Sequence, residues 1–177
     1  MAVDLRKKVE EDRGLLKKIE LAIPGFRGYR KREDLRIADS LLRAQLADRL
    51  KHVGTQLEQC RQDLAKKMEL EHLEDAARLV NNIQKTESRV RHAEQGYSGI
   101  SADFRIEVEE LNRLYEWDLQ LLDDVDKIRS EAVGLQNAVL GGNSSEISAR
   151  LRTVNNVLQD FNMTFDKRIE IISGIGV

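Results

Sequence analysis

Three histidines stand at equal intervals along the chain, at His52, His72 and His92. Imidazole is the commonest metal-binding side chain, so a regular set of histidines raises the question of a shared metal ion. An interval of 20 residues turns by about 200° around a continuous helix, which puts successive histidines on opposite faces. We therefore expect these side chains to be solvated and not to share a metal ion.

Carboxylates are the other side chains that could bind metal ions in a helical protein. A helical di-metal site needs a Glu-x-x-His pair from each of two helices, and this chain has one such pair, Glu69 and His72. The fourth predicted helix carries four aspartates that could hold magnesium beside a phosphate, namely Asp118, Asp123, Asp124 and Asp126. No matching carboxylate pair stands on a facing helix, so we expect a solvated acidic face. The sequence thus predicts no metal site and no cofactor.

Neither nucleophilic catalysis nor phosphate binding has a clear motif in this sequence. The single cysteine, Cys60, occupies an apolar position of a helical repeat, where a thiol behaves as a small buried hydrophobe. The glycine-containing loops at 25–28 and 96–99 lack the flanking strand and the lysine of phosphate-binding loops. We predict that the protein is not an enzyme. A helical-bundle enzyme that acts on a phosphate compound is the least favoured alternative.

The most distinctive chemistry lies in a short basic segment, residues 26–32, ahead of the longest predicted helix. The candidate residues for binding an anion or a partner combine positive charge with an aromatic ring, and they are Arg27, Tyr29, Arg30, Lys31 and Arg32. Such a group could hold an acidic lipid headgroup, a phosphate-bearing molecule or an acidic protein. The alternative is structural: Phe26 and Tyr29 plug the end of a helical bundle, and the arginines are solvated or pair with neighbouring acids.

The charge balance excludes some classes of function. The 29 basic and 31 acidic side chains give a formal net charge of -2, which removes the overall attraction of a dedicated nucleic-acid-binding protein. Charged residues interrupt every apolar stretch before it reaches the roughly 20 residues of a membrane span, so membrane contact must be peripheral. With one cysteine and no apolar signal segment at the start, the simplest expectation is a cytoplasmic protein.

Helical periodicity governs the elements that must position these residues. Apolar residues recur every three or four positions between three breaks, at Pro24 to Gly28, Gly96 to Gly99 and Gly141 to Gly142. The pattern predicts five helices, at about 3–22, 34–69, 73–94, 107–140 and 144–173. Short connections make consecutive helices antiparallel. We therefore predict a single all-α domain over residues 1–177, an elongated antiparallel helical bundle with coiled-coil-like long helices.

The longest repeat lies on the second helix, and the turn after it contains no glycine or proline. Its apolar seam averages close to the repeat of a coiled coil: Leu42, Leu46, Leu50, Val53, Leu57, Cys60 and Leu64. Lys66 and Lys67 suit the C-terminus of a helix, and the acids from Glu69 to Asp75 suit a following N-terminus. These charges and a change of register predict a tight turn near residues 69–72. One continuous helix over about 34–94 is the alternative.

Three segments carry a family resemblance. They are Ile23-Pro24-Gly25-Phe26-Arg27-Gly28-Tyr29, which leads into Arg36 to Arg43, then Gly96-Tyr97-Ser98-Gly99, and Leu114-Tyr115-Glu116-Trp117-Asp118. In these segments the chain resembles an uncharacterised microbial family of cytosolic all-helical coiled-coil proteins, with Trp117 where the family pattern has phenylalanine. The resemblance spans most of the chain. It implies the helical fold and no assigned activity.

These observations favour a non-enzymatic structural or adaptor protein that acts through helix–helix contacts, with a protein partner or with a second copy of itself. The reason is the long seam of the second helix, which we expect to extend beyond what four other helices can cover. The alternative function is peripheral binding of an anionic surface, such as acidic lipid or a phosphate-bearing partner, through residues 26–32. Nucleic acid is not expected as a partner.

Overall fold

The computed structural model of the chain describes residues 5–26, 32–93 and 108–173, with side chains over 14–26, 37–93 and 112–171. Within these ranges the regular elements are all helical, and no strand occurs. The five α-helices are α1 (Leu5–Ala22), α2 (Arg32–Lys66), α3 (Leu73–His92), α4 (Val108–Gly141) and α5 (Ser144–Ser173). The predicted all-α fold with five helices is confirmed. Each observed helix end lies within one helical turn of its predicted position.

The chain divides into two compact units, and the boundaries between them fall inside α2, α4 and α5. Unit 1 comprises Met1–Gln45, Glu94–Leu121 and Thr164–Val177, and unit 2 comprises Leu46–Ala93 and Leu122–Met163. Unit 2 therefore contains two helical hairpins, α2 with α3 and α4 with α5. The prediction of one domain over the whole chain stays a prediction. None of the described helices is both long and apolar enough to cross a lipid bilayer.

Side-chain pairs across unit 2 define the directions of its four helices. The tight turns make α2 antiparallel to α3 and α4 antiparallel to α5. Between the hairpins, the numbers of contacting residues increase in the same direction along both helices. Helix α2 is therefore parallel to α4, and α3 is parallel to α5. The pairs are Arg49 with Asp126, Gln56 with Gln136, Asn82 with Asn155 and Thr86 with Asn162. Both hairpin turns therefore lie at the same end of unit 2.

The apolar seam predicted for α2 is buried along its whole length. Each of its seven residues from Leu42 to Leu64 is at most 2% exposed. Other helices of the same chain pack on α2 and remove these side chains from water, which is the main favourable contribution of a helical core. The expectation that part of this seam extends beyond what the other helices cover is therefore wrong. Any interaction surface must lie elsewhere.

The predicted turn after α2 is present, and a methionine closes it. Met68 has a φ of 60°, in the left-handed region that glycine usually occupies after the last residue of a helix. The N–H of Met68 donates to the carbonyl of Ala65 at 3.2 Å, and the N–H of Glu69 donates to the carbonyl of Leu64 at 3.0 Å. These are the two hydrogen bonds of a Schellman motif. Because this cap ends α2, the alternative of one helix over residues 34–94 is wrong.

The turn between α4 and α5 is closed by glycine instead. Gly142 has a φ of 68°, and its N–H donates to the carbonyl of Ala138 at 3.0 Å. Asn143 then caps α5, since its side-chain oxygen accepts a hydrogen bond from the N–H of Glu146 at 3.2 Å. We call the end of unit 2 formed by residues 67–72 and 140–144 the tip.

Candidate functional site

The predicted basic site lies almost wholly outside the described residues. Arg27, Tyr29, Arg30 and Lys31 belong to the undescribed segment, and of Arg32 the structure describes only the backbone at the start of α2. Binding of an anionic surface by these residues stays a prediction. The neighbouring Phe26 is described, and it is only 3% exposed. Its ring therefore packs in the interior, as the structural alternative expects, and does not face solvent beside the basic residues.

The four aspartates of α4 do not form one solvated face. Asp118 is fully buried and accepts a hydrogen bond from Nε of Arg168 at 2.5 Å. Asp124 is 4% exposed, whereas Asp123 and Asp126 are exposed. The expectation of a solvated acidic face is therefore wrong for two of the four residues. Among the described residues, no group of metal-ligand side chains includes any of them.

Asp118 belongs to a buried ionic cluster in unit 1. Besides its bond to Asp118, Arg168 donates from Nη1 to Asp39 at 2.6 Å, and Arg43 donates to the other oxygen of Asp39 at 2.8 Å. Two guanidinium groups thus balance two carboxylates. No buried polar side-chain atom in the described part of the chain lacks a hydrogen-bond partner. Within these four residues the charges are equal, and every charged group takes part in a hydrogen bond.

The single thiol, that of Cys60, is a poor nucleophile. Cys60 is 1% exposed in the seam of α2, as predicted for a small buried hydrophobe. Burial raises the pKa of the Cys60 thiol to about 11, and the charge of Asp63 contributes in the same direction. The thiol is therefore protonated at neutral pH, and only the thiolate is a good nucleophile.

The three histidines lie in different environments. His52 and His92 are exposed, on α2 and at the end of α3, whereas His72 is only 4% exposed at the tip. The expectation of a solvated side chain is thus wrong for His72. Among the described residues, the one group of metal-ligand side chains consists of His72 with Glu69 and Glu71.

His72 is the centre of a polar cluster that joins the two turns of the tip. Its Nε2 lies 3.0 Å from Oγ of Ser144 and 3.2 Å from Oε1 of Glu71. Its Nδ1 lies 3.4 Å from Oγ of Ser148, and Ser144 donates a hydrogen bond to Glu71 at 2.5 Å. Ligand atoms of Glu69, Glu71 and His72 all lie within 4.8 Å of one another. We call these three residues the tip triad.

The sequence analysis considered one pair of this cluster, Glu69 and His72, and predicted no metal site there. The spacing argument looked for ligands on separate helices, whereas a 3-10 turn at Leu70–His72 folds the two carboxylates and the imidazole together. Ser144 and Ser148 stand 72 and 76 positions away from His72, a proximity that no local pattern shows. The available signal was the reversal of charge at the end of α2, which indicated a turn but not its chemistry.

Large apolar side chains are exposed at the same tip. Met68 is 76% exposed, Leu70 is 63% exposed and Leu140 is 60% exposed. Lys67 links the two turns, because its Nζ donates to the carbonyls of Val139 and Leu140, each at 2.7 Å. Three of the seven exposed large apolar side chains in the described part of the chain therefore lie on two adjoining turns.

A groove of about 520 Å³ lies between α2 and α3 in unit 2. Gly54 lines this groove, and a Cβ at this position would lie 3.4 Å from Cγ2 of Ile83. Arg91 bonds to Asp48 at 2.8 Å and to Glu87 at 2.6 Å, and these hydrogen bonds raise the pKa of Arg91. Because both acids neutralise Arg91, the groove does not have the surplus positive charge of an anion site.

No protein-family model, curated protein or solved structure matches this chain. The resemblance to a microbial all-helical family, carried by the segments that begin at Ile23, Gly96 and Leu114, stays a prediction. Function must therefore be argued from the geometry of the tip.

Proposed function

We propose that the protein is a non-enzymatic structural or adaptor protein whose tip binds an apolar helix face of a protein partner. The observation that carries this proposal is the exposure of Met68, Leu70 and Leu140 on two adjoining turns. Contiguous exposed apolar side chains are unusual on a soluble monomer and commonly mark a binding surface. The bonds from Lys67 and His72 hold the two turns in place, so binding orders few additional groups.

The backbone at Met68 supports the proposal. A left-handed conformation costs a non-glycine residue about 1–2 kcal/mol, and the other turn avoids this cost with Gly142. A methionine in place of glycine presents a flexible and polarisable side chain, of the kind enriched at adaptable binding surfaces. Strained residues cluster at functional sites. Contact between Met68 and a partner would account for a side chain that the fold itself disfavours.

Charge at the tip indicates the chemistry of the partner. Glu69 and Glu71 adjoin the apolar side chains, and Glu71 is exposed. Glu74 and Asp75 follow on the first turn of α3, where both pair with Arg78. The acids therefore outnumber the bases around the α3 side of the tip. The best complement is an amphipathic helix with an apolar face and flanking lysine or arginine residues.

We further propose a cytoplasmic location and the absence of catalytic activity. A single buried cysteine suits a reducing compartment, where disulfides are rare. The buried ion pairs of Arg168 and Arg43 with Asp39 and Asp118 support a structural role for that cluster. The buried Cys60, with its raised pKa, supports the absence of thiol chemistry.

Fluorescence anisotropy tests the proposal with a labelled amphipathic helical peptide that has leucine on one face and lysine on the other. Leu70→Lys should weaken binding by about tenfold or more, because it removes an apolar contact and repels the lysines of the peptide. The matched control is Leu21→Lys, which adds the same charge to a leucine that is 79% exposed on α1 of unit 1. This control should leave the affinity unchanged.

Equal weakening by Leu70→Lys and Leu21→Lys would contradict a binding surface at the tip. Failure of the parent protein to bind, combined with a strict monomer in light scattering at every concentration, would also contradict the proposal. A dimer that Leu70→Lys dissociates would support the tip as the interface and identify a second copy of the chain as the partner.

A further inference from the structure

We propose that the tip triad, Glu69, Glu71 and His72, is a binding site for one divalent transition-metal ion of the zinc class. This inference does not rest on partner binding, and it goes against the sequence prediction that the protein has no metal site. Three observations carry it: the spacing of the donor atoms, the charge of the group, and the hydrogen bonds that orient His72.

The donor atoms have the spacing that a small metal ion requires. Zinc binds imidazole nitrogen and carboxylate oxygen at about 2.0–2.2 Å in a tetrahedron, which places neighbouring donors about 3.3 Å apart. Nε2 of His72 and Oε1 of Glu71 are 3.2 Å apart. The carboxylate of Glu69 lies within 4.8 Å of both, and rotation about its side-chain bonds can close the remaining distance. Water would take the fourth position.

The charge of the triad favours a cation. Glu69 and Glu71 bring two negative charges together beside an imidazole that is neutral when it binds a metal. Lys67, on the same turn, is engaged with the carbonyls of α4. Within the described residues, no lysine or arginine pairs with Glu69 or Glu71. A divalent ion would cancel the two charges and remove the repulsion between the carboxylates.

The surroundings of His72 orient it as a ligand. The side chain is almost fully buried, so the ring is held in one position. Because Ser144 donates its one hydroxyl proton to Glu71, Nε2 of His72 donates to Ser144 in the metal-free chain. A metal ion on Nε2 would replace that proton, and Nδ1 would then carry the ring proton and donate it to Ser148. Metal-binding histidines usually donate their other ring N–H to an oxygen in this way. Ser144 orients Glu71 by its hydrogen bond. An ordinary group of surface acids has no such fixed nitrogen donor.

The donor set also selects the class of metal. One imidazole with two carboxylates suits zinc and neighbouring ions such as cobalt and nickel, whereas magnesium and calcium prefer oxygen ligands alone. A bound ion would tie Glu69, the residue after the strained Met68, to the 3-10 turn that precedes α3. It would thereby stabilise the folded state, since it binds the assembled triad and not the unfolded chain.

Isothermal titration calorimetry of the full chain, freed of metal with a chelator and titrated with zinc chloride, tests the proposal. The parent should bind one zinc ion per chain, and magnesium should produce no comparable heat. Glu69→Gln should weaken zinc binding by about tenfold or more, because it removes one charged ligand. The matched control is Glu74→Gln, which neutralises an exposed carboxylate on the next helical turn that pairs with Arg78. This control should bind zinc as the parent does.

A second variant and a second readout distinguish the loss of a metal ligand from misfolding. His72→Asn should abolish zinc binding, with its helical content checked by circular dichroism. Glu69→Gln changes a carboxylate that forms no hydrogen bond or ion pair with the described residues. Cobalt bound to the parent should show the absorption of a tetrahedral site, and zinc should raise the melting temperature of the parent and of Glu74→Gln. No zinc binding by the parent, or equal affinities for Glu69→Gln and Glu74→Gln, would overturn the proposal. Neither result would bear on the binding of peptide to Leu70.

Discussion

The two units each contain one conspicuous group of ionisable side chains, and the two groups differ in balance and burial. In unit 1, two arginines and two aspartates are buried and hydrogen-bonded to one another: Arg43, Arg168, Asp39 and Asp118. At the tip of unit 2, Glu69 and Glu71 lie beside a single imidazole, with no guanidinium or ammonium group paired to them among the described residues. A balanced cluster holds helices in register, whereas an unbalanced one retains the capacity to bind a cation.

The buried cluster explains how α2, α4 and α5 find one register in unit 1. Apolar stripes tolerate sliding, because one leucine replaces another at little cost. Arg168 does not tolerate such sliding, because its guanidinium must reach Asp39 and Asp118 at once. Loss of either contact would leave an unpaired charge in the interior. At the tip, by contrast, neither Glu69 nor Glu71 is paired with a guanidinium or ammonium group among the described residues. The comparison supports a structural role for the buried cluster, and it motivates the binding roles proposed for the tip.

The largest expected effect would come from breaking the buried cluster. Arg168→Ala should lower the free energy of unfolding by about 3–5 kcal/mol, because it leaves two buried carboxylates without their shared cation. Urea denaturation measures this loss. The matched control is Lys167→Ala, whose ammonium lies over the ring of Trp117 at 5.3 Å and should contribute about 1 kcal/mol or less. Similar losses in both variants would show that the cluster does not hold unit 1 in register.

A gain of stability is expected at the tip. Met68→Gly should raise the free energy of unfolding by about 1 kcal/mol, because glycine adopts the left-handed conformation without strain. Met68→Ala is the control: it removes the same exposed side chain but keeps a Cβ, so it should give no gain. Chemical denaturation of the two variants compares them directly. A loss of stability in Met68→Gly would mean that the methionine side chain supports the fold and not a partner.

The smallest effect is expected from the triad itself. In the absence of metal, Glu69→Gln should change the free energy of unfolding by less than about 0.5 kcal/mol, because the carboxylate forms no hydrogen bond or ion pair with the described residues. Asp118→Asn, which also neutralises one acid, should destabilise the protein strongly, since Asp118 is fully buried against Arg168. Urea titrations of both variants without zinc would sharpen the contrast. A strong destabilisation by Glu69→Gln would reassign the triad to a structural role.

Local periodicity was enough to predict the helices but not the buried charges. Asp118 lies four residues from both Leu114 and Leu122, on the same face of α4, yet its residue type alone predicts a solvated side chain. Its partner Arg168 lies 50 positions away on another helix, and pairing at that distance leaves no trace in a local pattern. For the same reason Ser144 and Ser148 could not be connected with His72. Only the folded chain shows which charges are compensated.

The two turns of the tip show the same limit for backbone conformation. The left-handed backbone conformation of Gly142 can be predicted from its residue type, because glycine is the usual left-handed residue after a helix. Met68 adopts nearly the same conformation, but nothing in its residue type indicates it. The turn was nevertheless predicted from the basic residues that end α2 and the acids that begin α3. The strain and the exposure of Met68 were not predicted from the sequence. These two observations support the partner-binding role proposed for the tip.

Nuclear magnetic resonance tests the functional role of the tip most directly. The isotope-labelled protein would be titrated with the leucine–lysine amphipathic peptide, and backbone amide shifts would be followed along the chain. We predict that the shifts concentrate in residues 67–72 and 139–144, and that Leu70→Lys removes them while Leu21→Lys does not. Shifts concentrated in unit 1, or spread evenly over the helices of unit 2, would contradict a binding role for the tip.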